Sequence, residues 1–139
     1  MLISAPELEL LEVKNPPEPE TVFPSFLSDP CPFFLDSALN DNRLGRYSFI
    51  GSRPFLILRS SGKKVVIKEG SSVRYYSASP FGLLRELLRK WRIERTEKPV
   101  PFVGGAVGYF GYELCHFVEK LPASVDPAAS DRPRIRMVA

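Results

Sequence analysis

From residue 55 to residue 76 the chain repeats one pattern, a short apolar run followed by a turn-forming pair. Phe55-Leu56-Ile57-Leu58, Val65-Val66-Ile67 and Val73-Arg74-Tyr75-Tyr76 are separated by Ser61-Gly62 and Glu69-Gly70. β-branched and aromatic residues suit a pleated backbone, and the regular turns predict an antiparallel meander. The period then changes. Ser79-Pro80 opens a helix, with Ser at the N-cap and Pro at the first helical position. Phe81, Leu84, Leu87, Leu88 and Trp91 fall on one side of it, with Leu83 at the border, and Arg85, Glu86, Arg89, Lys90 and Arg92 fall on the other. Upstream, Phe33-Phe34-Leu35 ends at Asp36-Ser37, and Arg46-Tyr47-Ser48-Phe49-Ile50 ends at Gly51. The loop between these two predicted strands carries the turn formers Asn40, Asp41 and Asn42.

Downstream, the glycine-rich run from Phe102 to Gly111 predicts a strand that another backbone can approach closely. A second helix is expected from Tyr112 to Leu121, stopped by Pro122, with Leu114, Phe117, Val118 and Leu121 buried. Arg132, Arg134 and Arg136 alternate with Pro133, Ile135 and Met137, the pattern of a half-buried strand. That strand stops at Val138-Ala139 like a chain cut in mid-fold. The fold class is therefore α+β, a mostly antiparallel sheet with two packed helices, one domain over 24–139. Residues 1–23 read as a proline-rich lead-in, and Pro16, Pro17, Pro19 and Pro24 predict an extended backbone there.

Composition narrows the function classes. Net charge is only +3, from 19 basic and 16 acidic residues that intermix along the helix, so no unopposed basic stripe for nucleic acid is present. No apolar run approaches the roughly 20 residues of a membrane span, and no basic-then-apolar leader opens the chain. A cytoplasmic protein is expected, with Cys31 and Cys115 as buried small hydrophobes. His116 is read as a solvated surface residue. With one histidine and two distant cysteines, a zinc site of the usual spacing cannot be assembled. Gly105, Gly108 and Gly111, spaced by three, fit neither a dinucleotide fingerprint nor a P-loop. One constellation could serve a small molecule: Asp36 and Ser37 at one strand end, and Arg46, Tyr47 and Ser48 at the start of the next. They offer a guanidinium, hydroxyls and an aromatic wall. Spacing alone favours the alternative of an ion pair and turn hydrogen bonds at strand ends.

Three blocks carry a family resemblance. Pro32-Phe33-Phe34-Leu35-Asp36-Ser37-Ala38, then Gly45-Arg46-Tyr47-Ser48-Phe49-Ile50-Gly51, then Pro101–Leu114 resemble, in order and spacing, the opening landmarks of the chorismate-utilising synthases of the anthranilate synthase component I family. The resemblance covers nearly everything from Pro24 onward. Phe-Leu-Asp-Ser-Ala with Gly-Arg-Tyr-Ser leans toward the para-aminobenzoate branch rather than the tryptophan branch. It implies amination of chorismate with ammonia from a glutamine amidotransferase subunit (component II), and Mg²⁺ in the full-length enzyme. It also implies that the chorismate-binding and metal-binding groups lie in a carboxy-terminal domain absent from these residues. This chain alone would then be inactive, without catalytic or metal-binding residues, and would self-associate through uncovered apolar strands. Some family members hold tryptophan in this region. By motif position, Leu35, Ser37, Leu44, Gly45, Arg46 and Tyr47 would line that pocket, although Leu44 and Gly45 depart from the pattern of tryptophan-retaining members. A regulatory domain of the tryptophan branch and a stand-alone effector-binding module are the alternatives.

Overall fold

The structure, a computed structural model, describes residues 9–37, 47–93, 102, 104–120 and 135–138. The chain divides into two units, Glu7–Pro54 and Phe55–Ala139.

In the first unit, the stretch expected to be extended holds a single helical turn, α1 (Pro19–Val22), continued by a 3-10 turn at Phe23–Phe26. Pro19 stands at the start of α1, where a missing N–H costs nothing and the ring presets φ for a helix. Proline therefore starts this turn instead of forbidding it. The Phe23 ring lies 5.3 Å from that of Phe34, tying the turn to strand β1 (Phe33–Leu35). Strand β2 (Phe49–Gly51) pairs antiparallel with β1, Phe33 opposite Gly51 and Leu35 opposite Phe49. A Cβ on Gly51 would collide with the Phe33 ring, so this position requires glycine's bareness.

The second unit is an α+β assembly around a five-stranded antiparallel sheet. Strands β3 (Leu56–Ser61), β4 (Lys64–Glu69) and β5 (Ser72–Ser77) form the expected meander. Its two-residue turns begin at Gly62 and Gly70, with φ of 57° and 58°. Left-handed backbone of this kind suits glycine and matches the twist of a hairpin. On the inward face Leu56 lies opposite Glu69, Leu58 opposite Ile67 and Ser60 opposite Val65, and all six are buried.

Helix α2 (Pro80–Lys90) covers this face through Leu84, with Phe81, Leu83, Leu87 and Trp91 packed around it. The Ser79-Pro80 start is as expected, but the helix is turned slightly from the expected stripe. Leu83 packs inward, while Leu88, on the opposite border, stays 48% exposed. Trp91 meets Phe55 edge-on at 4.9 Å.

Strand β6 (Val107–Phe110) begins later than the glycine pattern suggested, and β7 (Ile135–Val138) lies between β3 and β6. The expectation of an open edge at the terminal strand is therefore wrong. β7 exchanges hydrogen bonds on both sides, and its antiparallel register with β3 is continuous from Ile57–Val138 to Ser60–Ile135. Among the described residues the edge strands are β5 and β6.

The expected second helix is a 3-10 segment, Tyr112–Phe117. Tight turns such as Leu114 N–H to Gly111 O at 3.1 Å replace α-helical bonds. Tyr112, Cys115, His116 and Phe117 have modest helix propensity, so packing decides the geometry. Leu114 is buried and Phe117 packs on the core, whereas Val118 is exposed, and Leu121 and Pro122 lie outside the described residues. Cys31 and Cys115 are half-buried rather than buried.

Leu58 sits at the centre of the sheet with no exposed surface. Leu58→Ala should cost about 2–5 kcal/mol in urea melts, from lost transfer energy plus the cavity. Leu88→Ala should stay within roughly 0.5 kcal/mol. Equal losses at the two positions would contradict the inward face assigned to α2.

Candidate functional site

The strand pair β1–β2 brings together the residues that the sequence singled out. Beyond the last pair, Leu35 opposite Phe49, Ser48 Oγ donates to Asp36 Oδ1 at 2.6 Å. Leu35, Ser37 and Tyr47 therefore share one end of the pair, all three exposed. The Tyr47 ring stacks on Phe49 with centroids 6.4 Å apart, which presents an aromatic face at this end. Leu44, Gly45 and Arg46 lie outside the described residues. The Asp36 carboxylate is engaged by a strand-end hydroxyl, the bland role that spacing favoured for it.

The opposite end of the pair is clamped. Arg53 donates from Nε at 2.9 Å and from Nη2 at 2.7 Å to Asp29 Oδ1, while Ser52 Oγ donates to Oδ2 at 2.7 Å. Arg53 N–H also donates to Pro30 O at 2.9 Å. Arg53 has a φ of 54°, a left-handed conformation that costs a non-glycine residue roughly 1–2 kcal/mol. Charge-assisted bonds to one carboxylate hold it there. The Arg53 hydrogen bonds, then that of Ser52, lower the Asp29 pKa below the ordinary carboxylate range. No motif marked Asp29, Ser52 or Arg53, because the partners are 23 and 24 residues apart and only the fold joins them.

A second cluster escaped the sequence reading. Glu69, assigned there to a turn, is the last residue of β4 and points inward at 8% exposure. Its carboxylate pairs with Arg74 from β5 and lies 3.6 Å from Lys90 Nζ of α2. Lys90 Nζ also stands 4.5 Å from the Trp91 ring centroid. The usable signal was parity: Val65, Ile67 and Glu69 share one face of a strand. This cluster ties the sheet to the end of α2.

His116 is exposed, as expected. Among the described residues no three His, Cys, Asp or Glu side chains converge to hold a metal ion, and no helix is long and apolar enough to cross a membrane.

No family model matches the chain. It is 35% identical over 105 residues to anthranilate synthase component 1 of Acetivibrio thermocellus, which covers 75% of this chain and 21% of that relative. It is 31% identical over 113 residues to aminodeoxychorismate synthase component 1 of Klebsiella aerogenes, covering 81% and 25%. Anthranilate synthase component 1 of Methanothermobacter thermautotrophicus gives 35% over 124 residues, covering 83% and 26%. The chain thus spans about a quarter or less of the length of these curated relatives.

The clamp makes a pH prediction. Because the folded-state pKa of Asp29 is lowered, its stabilisation is fully present above the ordinary carboxylate pKa and disappears as pH falls through the lowered value. Asp29→Asn should therefore lower the urea midpoint at neutral pH, and the gap to the native chain should close in acid. A gap that is constant with pH would show that the carboxylate charge contributes nothing.

Proposed function

As a relative of component 1 of these two synthases, the chain is, we propose, the amino-terminal, non-catalytic portion of a chorismate-aminating enzyme. The observation that carries this reading is 31–35% identity over three quarters or more of the chain. The whole enzyme would act in the cytoplasm and replace the C4 hydroxyl of chorismate by the amino group of ammonia, the hydroxyl leaving as water. The product would be 4-amino-4-deoxychorismate, the precursor of para-aminobenzoate and folate. The Phe34–Ala38 and Gly45–Ser48 motif pair supports this branch. Anthranilate formation is the second reading, favoured by the 35% identity to two anthranilate synthase components.

In either branch a component II amidotransferase would supply the ammonia. Mg²⁺ would neutralise substrate carboxylate charge when bound. The described residues do not fit that ion, since no three carboxylate, thiol or imidazole side chains converge among them. Mg²⁺ and chorismate would be held by the carboxy-terminal domain that the family resemblance implies. Without such preorganised charge there is little to stabilise the transition state. The part of this chain would be to scaffold that domain. The Tyr47 end of the strand pair would accept an aromatic amino acid as effector, with Leu35, Ser37, Leu44, Gly45, Arg46 and Tyr47 around it.

Two measurements test this reading. The purified chain, given chorismate, ammonia and Mg²⁺, should form neither aminodeoxychorismate nor anthranilate above background, and turnover of either would refute the non-catalytic assignment. Tryptophan should bind weakly by calorimetry. Arg46→Ala should weaken it by about 1.5–3 kcal/mol through loss of a charge-assisted bond to the carboxylate. Unchanged binding in the variant would remove Arg46 from the pocket.

A further inference from the structure

Strand β5 is a sheet edge that lacks the features which usually blunt one. Edge strands are protected by proline, lysine, bulges or a covering element. β5 has no proline, lysine or glycine, and its register with β4 is unbroken from Lys64–Ser77 to Glu69–Ser72. Every side chain on it except Tyr76 is exposed, Val73 at 45% and Tyr75 at 78%. Its one charged residue, Arg74, lies on the inward face and is paired with Glu69. The other edge strand among the described residues, β6, is shorter and carries Gly108 in its interior.

Hydrogen-bond parity decides what can join this edge. Gly70-Ser71 is a two-residue turn, so Glu69 and Ser72 form the first bonded pair of the hairpin, and bonded pairs recur at every second residue. The bond from Ala78 N–H to Lys63 O at 2.9 Å keeps that alternation. Ser72, Arg74 and Tyr76 therefore direct their backbone groups to β4. Those of Val73, Tyr75 and Ser77 point away from the sheet, where no further strand stands among the described residues. We infer that this row pairs with the same row of a second copy, antiparallel about a two-fold axis at Tyr75. Tyr75 then meets Tyr75 of the copy and Val73 meets Ser77, three pairs that exchange about six N–H···O bonds. Tyr75 against Tyr75 is an aromatic cross-strand pair, and all three pairs lie on the outward face, so the pleats match. Shifting the register by two residues one way sets Arg74 against Arg74, and the other way leaves Val73 unpaired. The nearest charges on the outward face, Lys64 and Lys68, stand on β4, one strand back from the edge. Across the axis they are three strand spacings apart, roughly 14 Å and outside the Debye length of physiological salt. No outside sequence is needed, because the row is its own complement, and using up this edge in both copies stops the pairing at a dimer. Every group involved belongs to the second unit.

A charge pair placed on the axis tests this with the full 139-residue chain. Position 75 meets its own copy there, so Tyr75→Lys and Tyr75→Glu each set like charges directly opposite one another. The position is exposed, and far-UV circular dichroism checks that both variants fold. In sedimentation equilibrium the native chain should form a reversible dimer, and each variant alone should dimerise more weakly by over about tenfold. Mixed one to one, the two should recover a mixed dimer, since opposite charges now face each other. Ser77→Pro, which removes only an N–H directed away from β4, should also weaken the dimer. A native chain that stays monomeric throughout would leave this edge to a strand of another protein and overturn the proposal. Variants that associate like the native chain, or a mixture no heavier than its parts, would overturn it as well.

Discussion

The inward face of the β3–β4 pair is the constraint on which the second unit depends. Three cross-strand pairs, Leu56–Glu69, Leu58–Ile67 and Ser60–Val65, set the register, and a slip of either strand by one residue would turn its three inward side chains to the other face. Apolar members of this face contribute roughly 1.5–3 kcal/mol each when fully buried. α2 covers them through Leu84, and the 3-10 segment adds Leu114. Strand β7 then pairs with β3 in a register that carries β6 with it, so the glycine-rich strand is placed by the same pair of strands.

Polar contacts orient what the apolar face gathers. Glu69 is a charge in the last position of a buried row, and burying it alone would be costly. Arg74 and Lys90 reach it from two other elements, which fixes where the C-terminal turn of α2 can lie against the sheet. In the first unit the Asp29–Ser52–Arg53 clamp has the corresponding role. It holds one end of the β1–β2 pair.

Much of this was legible in the sequence, for identifiable reasons. The meander, the helix start at Ser79-Pro80 and the neighbouring placement of the two N-terminal strands rest on local signals: β-branched runs, turn glycines and a cap. Signals failed where tertiary context decides. Pro19 suggested extension but starts a helical turn, because proline's meaning depends on whether it stands before or inside a helix. The Tyr112 segment has an apolar stripe, yet it tightens to 3-10 geometry. An inward-facing Glu69 and a β7 paired on both sides depend on partners far away in sequence. Of the candidate site, Leu35, Ser37 and Tyr47 lie at one end of the β1–β2 pair. The Asp29 clamp needed the fold, since no local spacing marks it.

The proposed scaffold role rests on a helix-backed sheet, a clamped strand pair, and Asp29, Asp36 and Glu69 each held in ion pairs or hydrogen bonds. The most direct test of that role is a calorimetric titration of the purified, folded chain with chorismate in the presence of Mg²⁺. The scaffold account predicts no saturable, Mg²⁺-dependent heat at any accessible concentration. A saturable signal that disappears on chelation would contradict it, because it would place the substrate and its metal on these residues.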